Sequence, residues 1–339
     1  MFSPSPIIIV HRETRLEGVL RRWGTRGQAK FVIRQAAAVE RARQAESTGA
    51  PVLTRGARPA ATADAADAFS EIENEDQVYR DALAKLQREL NLEERVQLVH
   101  RDYVPTFDFG FSQVVVVLGQ DGMVANVAKY VRDAPIVGVN PDPARFDGVL
   151  LPFHVPQARA AVHTVLKRTH KSRHVTLAEV LLNDGQRLLA FNDLFVGSAS
   201  HVSARYALVH QGRAEQQSSS GIIISTGAGS TGWLSSVFNM ASGVAGFLGS
   251  RTQPGFTMRW EDRKLVWVVR EPFKSKHSQI TMVAGTLEPP EELVVQSAMP
   301  EGGVIFSDGI ERDFLTFNSG AIARIQVAEQ RANLVVAGR

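Results

Sequence analysis

Residues 114–126 read VVVVLGQDGMVAN, and this stretch decides the fold. The run Val114–Leu118 contains only valine and leucine, a composition typical of a strand buried on both faces of a parallel sheet. The strand ends in a Gly-Gln-Asp-Gly turn, and a helix is predicted from about 123 to 131. Ligands of open α/β sheets bind at the carboxyl ends of such strands, so this turn is the first candidate for a functional site.

The same alternation of strand and helix continues on both sides of this stretch. Periodicity predicts strands at 7–10, 31–33, 96–99 and 135–139, and helices at 16–23, 35–46 and 73–90. Residues 48–69 are rich in Ala, Thr, Gly, Pro, Arg and Asp, and we expect a flexible surface loop there. Residues 1–145 are therefore predicted to form a parallel α/β domain.

Residues 146–339 have a different pattern. After a helix at 156–168, the turn Asn183-Asp184-Gly185 joins two apolar runs, which predicts a hairpin. Further short strands are predicted at 204–210, 221–225, 264–270, 279–284, 293–296, 303–306 and 321–327. This half is expected to be mainly antiparallel and β-sandwich-like.

Composition excludes several classes of protein. The 339 residues suffice for two domains, and 44% apolar with 22% charged residues is ordinary for a soluble globular protein. The N-terminus predicts neither a signal peptide nor a membrane anchor, and the absence of cysteine fits the cytoplasm and excludes thiolate chemistry. The net charge of +3 does not indicate a nucleic-acid binder, and the basic cluster at 168–174 is interpreted as a solvated helix end.

The turn after 114–118 places one carboxylate, Asp121, between Gly119 and Gly122. The glycines would let backbone N–H groups face a phosphate, and the positive end of the following helix would favour the same ligand. An aspartate here could accept a proton from a hydroxyl nucleophile. The alternative, an aspartate that caps the helix, stays open at this point.

A second glycine-rich loop lies in GIIISTGAGSTGW, residues 221–233. Gly227, Gly229 and Gly232 spell G-x-G-x-x-G, the fingerprint of a dinucleotide-binding turn. That fingerprint requires a first βα turn and an acidic residue about 20 positions later. This loop lies in the β-rich half, and the next strand ends 39 residues after Gly232, so the dehydrogenase interpretation fails both requirements.

A third feature is the pair Asn192-Asp193 at the end of a predicted hairpin strand. Polar groups buried in a strand need partners, which could be backbone groups or a ligand's hydroxyl and amide groups. The sequence contains no zinc-protease, P-loop or nucleophile-elbow motif, and its nine histidines have no metal-ligand spacing.

In their order along the chain, these motifs resemble those of the NAD kinase family. LGQDGM at 118–123 resembles the family's GGDGT, and FNDLFVG at 191–197 resembles its Asn-Glu segment. STGAGSTGW at 225–233 is similar to the family's Gly-Ser-Thr loop, and VGVNPDPARFDGVLLP at 137–152 to its crossing between domains. The VNPDP and SSG features are closer to the mitochondrial-type branch and its bacterial relatives. The resemblance implies a Rossmann-like α/β domain followed by a β-sandwich-like domain.

The resemblance also implies roles for individual residues. Asp121 would be the general base that takes the proton of the adenosine 2′-hydroxyl of NAD as that oxygen attacks ATP. Mg²⁺ would come with ATP, and the protein would be a homodimer or tetramer. The ATP phosphates would contact Gly119, Gln120, Gly122, Met123, Gly229 and Ser230. NAD would contact Asn192, Asp193, Ser220, Thr231, Gly232 and Trp233, the indole offering a face for stacking.

Some positions depart from the family pattern. Gln120 and Met123 replace a glycine and a threonine, and Asp193 replaces a glutamate. Two alternatives therefore stay open: a kinase of the same superfamily acting on a lipid or sugar hydroxyl, and a non-catalytic dinucleotide-binding regulator. Because only about a dozen residues follow Val327, the C-terminal helix of many relatives is expected to be missing.

Overall fold

The computed structural model describes residues 6–47, 63–92, 95–250 and 256–338. Its first half alternates strands and helices: β1 (Ile7–His11), α1 (Arg15–Trp23), α2 (Arg26–Ser47), α3 (Ala63–Leu90), β2 (Val96–His100), β3 (Val114–Leu118), α4 (Asp121–Ala128) and β4 (Ile136–Asn140). The four strands are parallel and lie in the order β2-β1-β3-β4. Every residue of β3 and β4 is buried, because helices cover both faces of this sheet. The predicted parallel α/β architecture is confirmed.

The second half is mainly antiparallel. Its elements are β5 (Phe153–His154), α5 (Val155–Leu166), β6 (Lys171–Leu182), β7 (Arg187–Ala190), β8 (Asp193–Ser198), β9 (Ala204–His210), β10 (Arg213–Ser219), β11 (Ile222–Ser225), α6 (Trp233–Phe247), β12 (Leu265–Val269), β13 (Ala284–Leu287), β14 (Leu293–Ser297), β15 (Gly303–Ser307), β16 (Ile310–Thr316) and β17 (Ile322–Val336). One sheet has the order β13-β12-β11-β8-β15-β16. It faces strands β6, β9, β14 and β17 across an apolar core that contains Tyr206, Ile224 and Trp267. The predicted sandwich is confirmed.

The last strand joins the two halves. β17 is antiparallel to β6 and β14 and then runs parallel to β4, with Leu334 opposite Ile136. The chain therefore returns to the first sheet as a strand. Helix α5 also packs against the N-terminal strands, in one apolar cluster with Ile7 and Val116. We therefore propose that α5 belongs to the N-terminal unit, beyond the predicted boundary at residue 145.

Several predicted elements differ from the structure. The strand predicted at 31–33 is wrong, because these residues continue α2 within a run, residues 28–47, that contains no glycine or proline. In the loop predicted at 48–69, residues 48–62 lie outside the described residues, and 63–69 are helical, with Phe69 buried. Residues 171–174 of the basic cluster form the start of β6 rather than a helix end.

Sequence analysis also misplaced or missed some elements of the second half. The strand predicted at 279–284 lies further along the chain, as β13, and helix α6 was not predicted at all. Strands β10 and β16 are rich in polar residues, and they escaped a search for apolar runs. No helix among the described residues is long and apolar enough to cross a lipid bilayer.

One close approach in β4 gives a test of the packing. A Cβ atom on Gly138 would lie 2.1 Å from the carbonyl oxygen of Leu150, so a larger residue must push the following turn away. We expect Gly138→Ala to lower the free energy of unfolding by about 1–3 kcal/mol in urea denaturation. The control is Gly243→Ala in α6, where the added methyl meets no atom within 4 Å, and we expect it to be neutral or slightly stabilising. Equal stability of Gly138→Ala and the wild type would contradict this account.

Candidate active site

Asp121 is the first residue of α4 and lies three positions after the carboxyl end of β3. Gln120 occupies the N-cap position and makes no side-chain capping bond, so Asp121 is not the helix cap. Its Oδ1 accepts a 2.6 Å hydrogen bond from the N–H of Leu150, in the turn that follows β4. No donor among the described residues is assigned to Oδ2. The carboxylate is thus anchored by one oxygen and keeps the other for a ligand.

The turn before Asp121 is partly closed by its own contacts. The N–H of Gly119 donates to the carbonyl of Val139 at 3.3 Å, and that of Met123 donates to the carbonyl of Gln120 at 2.9 Å. The Met123 side chain folds back, and its Sδ would lie 2.7 Å from a Cβ on Gly119. Gly122 is in the first turn of α4, where backbone N–H groups have no acceptor within the helix. Its N–H is therefore the donor best placed to meet a phosphate.

The structure brings the other two sequence motifs together. The carbonyl of Asn192 accepts the N–H of Thr226 at 2.9 Å, and the carbonyl of Phe191 accepts the Thr226 hydroxyl at 2.6 Å. A Cβ on Gly229 would lie 2.2 Å from the Asn192 oxygen, so only glycine fits where the two loops touch. Ser230 is buried, with its hydroxyl bonded to Gly227, whereas Thr231 and Gly232 are exposed. The exposed pair can therefore reach a ligand directly.

Two residues predicted to contact NAD have other surroundings. The Trp233 indole stacks on Phe195, with ring centroids 5.6 Å apart, and the Arg270 guanidinium lies 5.3 Å from the indole centroid. The indole is therefore engaged within the protein. Ser220 precedes the start of β11, whereas Asn192 lies next to the end of that strand. The N–H of Ser220 donates to the carbonyl of Arg270. The structure does not place Ser220 beside Asn192.

Asp308 is a site residue that the sequence analysis missed. It lies in the Asp-Gly turn between β15 and β16, at a φ of 54°, and its side chain is 2% exposed. Its carboxylate accepts the N–H of Asn192 at 2.6 Å and that of Phe191 at 3.1 Å. The sequence analysis predicted the strand before this turn but assigned nothing to Asp308, and nothing in the sequence indicated that its carboxylate is buried.

Lys129, at the end of α4, connects Asp308 to the N-terminal half. Its side chain is 1% exposed, and its Nζ lies 3.5 Å from Asp308 and donates to the Ser307 hydroxyl at 2.8 Å. Tyr130 adds a second link, a hydrogen bond from its hydroxyl to Asp313. Burial lowers the pKa of Lys129 and raises that of Asp308, and the attraction between the two charges opposes both shifts. This buried pair fixes α4 to the Asn192 loop.

Asp193 lies beside this pair, and its pKa is well above the ordinary value of an aspartate. Burial, and secondly the charge of Asp308, raise the pKa of Asp193 to about 7. Two carboxylates in one poorly solvated place cannot both ionise without a large cost. Asp193 therefore changes its charge near neutral pH.

A cleft of about 950 Å³ opens between the two halves. Its walls are the loop after β1, the loop after β2, helix α4 and the β15–β16 turn. Basic side chains dominate the wall formed by the loops after β1 and β2, whereas the β15–β16 side has both acidic and basic side chains. The charged lining residues are Arg12, Glu13, Arg15, Arg21, His100, Arg101, Asp102, Glu311, Arg312 and Asp313. Its size falls in the range of small-molecule sites, and its cations suit an anionic ligand.

The raised pKa of Asp193 leads to a prediction about stability. Between its ordinary value of 3.8 and about 7, the folded protein holds a proton that the unfolded chain has released. The free energy of unfolding therefore falls as the pH rises through this window, by up to about 1.4 kcal/mol per pH unit from this group. We expect Asp193→Asn to lose this part of the pH dependence and to be more stable than the wild type at high pH.

Urea unfolding at several pH values between about 5 and 8 measures the effect. The exposed Asp133 supplies the matched control, since Asp133→Asn is expected to keep the pH dependence of the wild type. If Asp193→Asn and the wild type lose stability in parallel as the pH rises, the assignment to Asp193 is wrong.

The architecture is that of two solved kinases. It is similar to the crystal structure of an NAD kinase from Archaeoglobus fulgidus in complex with ATP, with a TM-score of 0.51 and 18% identity over 75% of this chain and 88% of that one. It is also similar to yeast NADH kinase complexed with NADH, with a TM-score of 0.54 and 14% identity over 99% of this chain and 84% of that one.

No protein-family model matches the sequence, and no curated protein is detectably similar to it. At these identities the likeness is one of fold. The NAD kinase-like fold expected from the motifs is thus confirmed, while the mitochondrial-type branch stays a prediction.

Proposed function

We propose that this protein transfers the γ-phosphoryl group of ATP to the adenosine 2′-hydroxyl of NAD(H), with Asp121 as the general base. The observation that carries the proposal is the position of Asp121. In a fold shared with an NAD kinase and an NADH kinase, it follows the carboxyl end of a central strand and has one carboxylate oxygen without an assigned donor.

The proposed step moves one proton and one phosphoryl group. Oδ2 of Asp121 accepts the proton of the 2′-hydroxyl as that oxygen forms a bond to the γ-phosphorus. The bond between the γ-phosphorus and the β,γ-bridging oxygen breaks, and ADP leaves with the electron pair. The 2.6 Å bond from Leu150 to Oδ1 fixes the carboxylate plane and leaves the second oxygen to act. The products are NADP(H) and ADP.

The donor would occupy the cleft between the halves. Its basic wall would attract the phosphates of ATP. Helix α4 lines the cleft with Asn126, and we propose that the phosphates extend along this helix to its start, where the Gly122 N–H adds a donor and a favourable helix dipole. We propose that Gly119, Gln120 and Met123 shape this turn. Mg²⁺ would arrive on the phosphate oxygens of ATP, since the described residues contain no group of three or more His, Asp or Glu placed to hold a metal. There the ion would neutralise charge on the transferred group.

The acceptor would lie against the loops of the second half. We propose that Asn192, Asp193, Thr231 and Gly232 contact NAD, because the structure gathers them around the Asn192–Gly229 contact. Gly229 and Ser230 would shape this loop from within, since Ser230 is buried. Trp233 would border this loop through its stack on Phe195, whereas Ser220, at the other end of β11, lies away from it.

We also propose that the protein forms a homo-oligomer, a dimer or tetramer, through helix α6. Residues 233–247 contain no charged side chain, and Met240, Val244 and Phe247 are exposed, Phe247 by 89%. Exposed apolar faces of this kind commonly mark interfaces. We expect Phe247→Glu to shift sedimentation toward the monomer, with Phe31→Glu in α2 as the control; a monomeric wild type would contradict the proposal.

The general base can be tested directly. We expect Asp121→Asn to fold normally, because its amide oxygen can still accept the Leu150 N–H, and to lose about 10²–10⁴-fold in kcat. A coupled assay with ATP, Mg²⁺ and either NAD or NADH measures NADP(H) formation. Asp133→Asn is the control and should retain wild-type activity.

Three results would contradict all or part of the proposed function. Unchanged turnover in Asp121→Asn would remove its proposed role. Transfer of labelled γ-phosphate to a lipid or sugar and not to NAD would identify a kinase of the same superfamily that acts on a lipid or sugar hydroxyl. Tight dinucleotide binding in calorimetry without any turnover would identify a regulator.

A further inference from the structure

Tyr79 lies on α3 and reaches the sheet with its hydroxyl group. The side chain is buried, and its hydroxyl accepts the N–H of Arg12 at 2.9 Å and donates to the carbonyl of Leu118 at 2.9 Å. Arg12 follows the last residue of β1, and Leu118 is the last residue of β3. One oxygen atom therefore bridges the carboxyl ends of two neighbouring strands.

This bridge lies where the chain changes direction across the sheet. In the order β2-β1-β3-β4, the strand after β1 lies on one side of it and the next strand lies on the other. In open α/β sheets the crevice at such a switch point receives the ligand. The paired residues of β1 and β3 end at Val10 and Val117, and the Tyr79 hydroxyl follows this last pair. It lies between the two strand ends, beyond their last paired residues.

The surrounding charges hold the bridge in place. Burial raises the pKa of Tyr79 to about 12, so the hydroxyl keeps the proton that it donates to Leu118. The Arg12 guanidinium lies 4.7 Å from the Tyr79 ring centroid and bonds Glu75 of the same helix at 2.7 Å. Two residues further, the Thr14 hydroxyl donates to Asp76 at 2.6 Å. These bonds hold the loop after β1, which lines the cleft, against helix α3.

We propose that Tyr79 is a positioning residue for the phosphoryl donor. Its hydroxyl sets the separation between the Arg12–Thr14 loop, which lines the cleft, and the end of β3, from which the turn that carries Gly122 and Asp121 begins. It contacts neither the transferred group nor the acceptor. The inference rests on the proposed function in one respect, the assignment of ATP to this cleft.

The test compares two tyrosine variants. Tyr79→Phe keeps the ring and removes only the bridging oxygen, so we expect the Kd for Mg-ATP to rise about tenfold in calorimetry and the KM for NAD to stay within about twofold. The matched control is Tyr206→Phe: Tyr206 is equally buried in the second half and its hydroxyl bonds Gln217 and Ser219, away from the cleft. We expect this control to bind Mg-ATP as the wild type does.

Urea unfolding of both variants separates positioning from stability. If Tyr79→Phe is less stable but binds Mg-ATP with unchanged affinity, Tyr79 is structural only and the inference is wrong. If the wild type binds Mg-ATP but does not phosphorylate NAD(H), the proposed acceptor fails, while the comparison of Kd values still decides the role of Tyr79. A wild type that does not bind Mg-ATP would overturn the donor assignment and this inference together.

Discussion

The buried ion pair between Lys129 and Asp308 holds together the parts of the molecule from which the candidate site is built. Lys129 ends the helix that Asp121 begins, and Asp308 accepts backbone N–H groups from the Asn192 loop. A buried charge without its partner is strongly destabilising, so neither residue tolerates the absence of the other. The pair thereby fixes the distance between the proposed base and the proposed acceptor loops.

Close backbone contacts give the same region its shape. Gly138 lets the turn at Leu150 approach β4, and that turn supplies the N–H that anchors Asp121. Gly229 lets the second glycine-rich loop touch the Asn192 carbonyl. The spacing that spells a dinucleotide fingerprint has a different basis here, since it serves contacts between loops of a β-sandwich. A match to the letters of this motif alone would have indicated a Rossmann turn, which this loop does not form.

Several hydroxyl and carboxyl groups of this protein have raised pKa values. Burial is the first cause for Tyr79, Asp193 and Asp308 alike. Groups of this kind are common at functional sites, because a site that excludes water also perturbs its own titratable residues. Asp308 positions the Asn192 loop through its hydrogen bonds and Asp193 changes its charge beside it, whereas Asp121 is partly exposed in the turn after β3.

The sequence alone determined the parallel sheet, the sandwich and the position of Asp121. Runs such as Val114–Leu118 are long, apolar and bounded by glycine, so local periodicity was sufficient to find them. Local periodicity did not predict α6 or the helical state of residues 31–33. Short apolar runs fit a helix or a strand equally well until packing selects one of the two. Tertiary structure also decided which polar groups meet: Asp308 is 179 residues from Lys129, and Tyr79 is 39 from Leu118. Burial and pairing over such separations depend on the completed fold, and no local pattern in the chain encodes them.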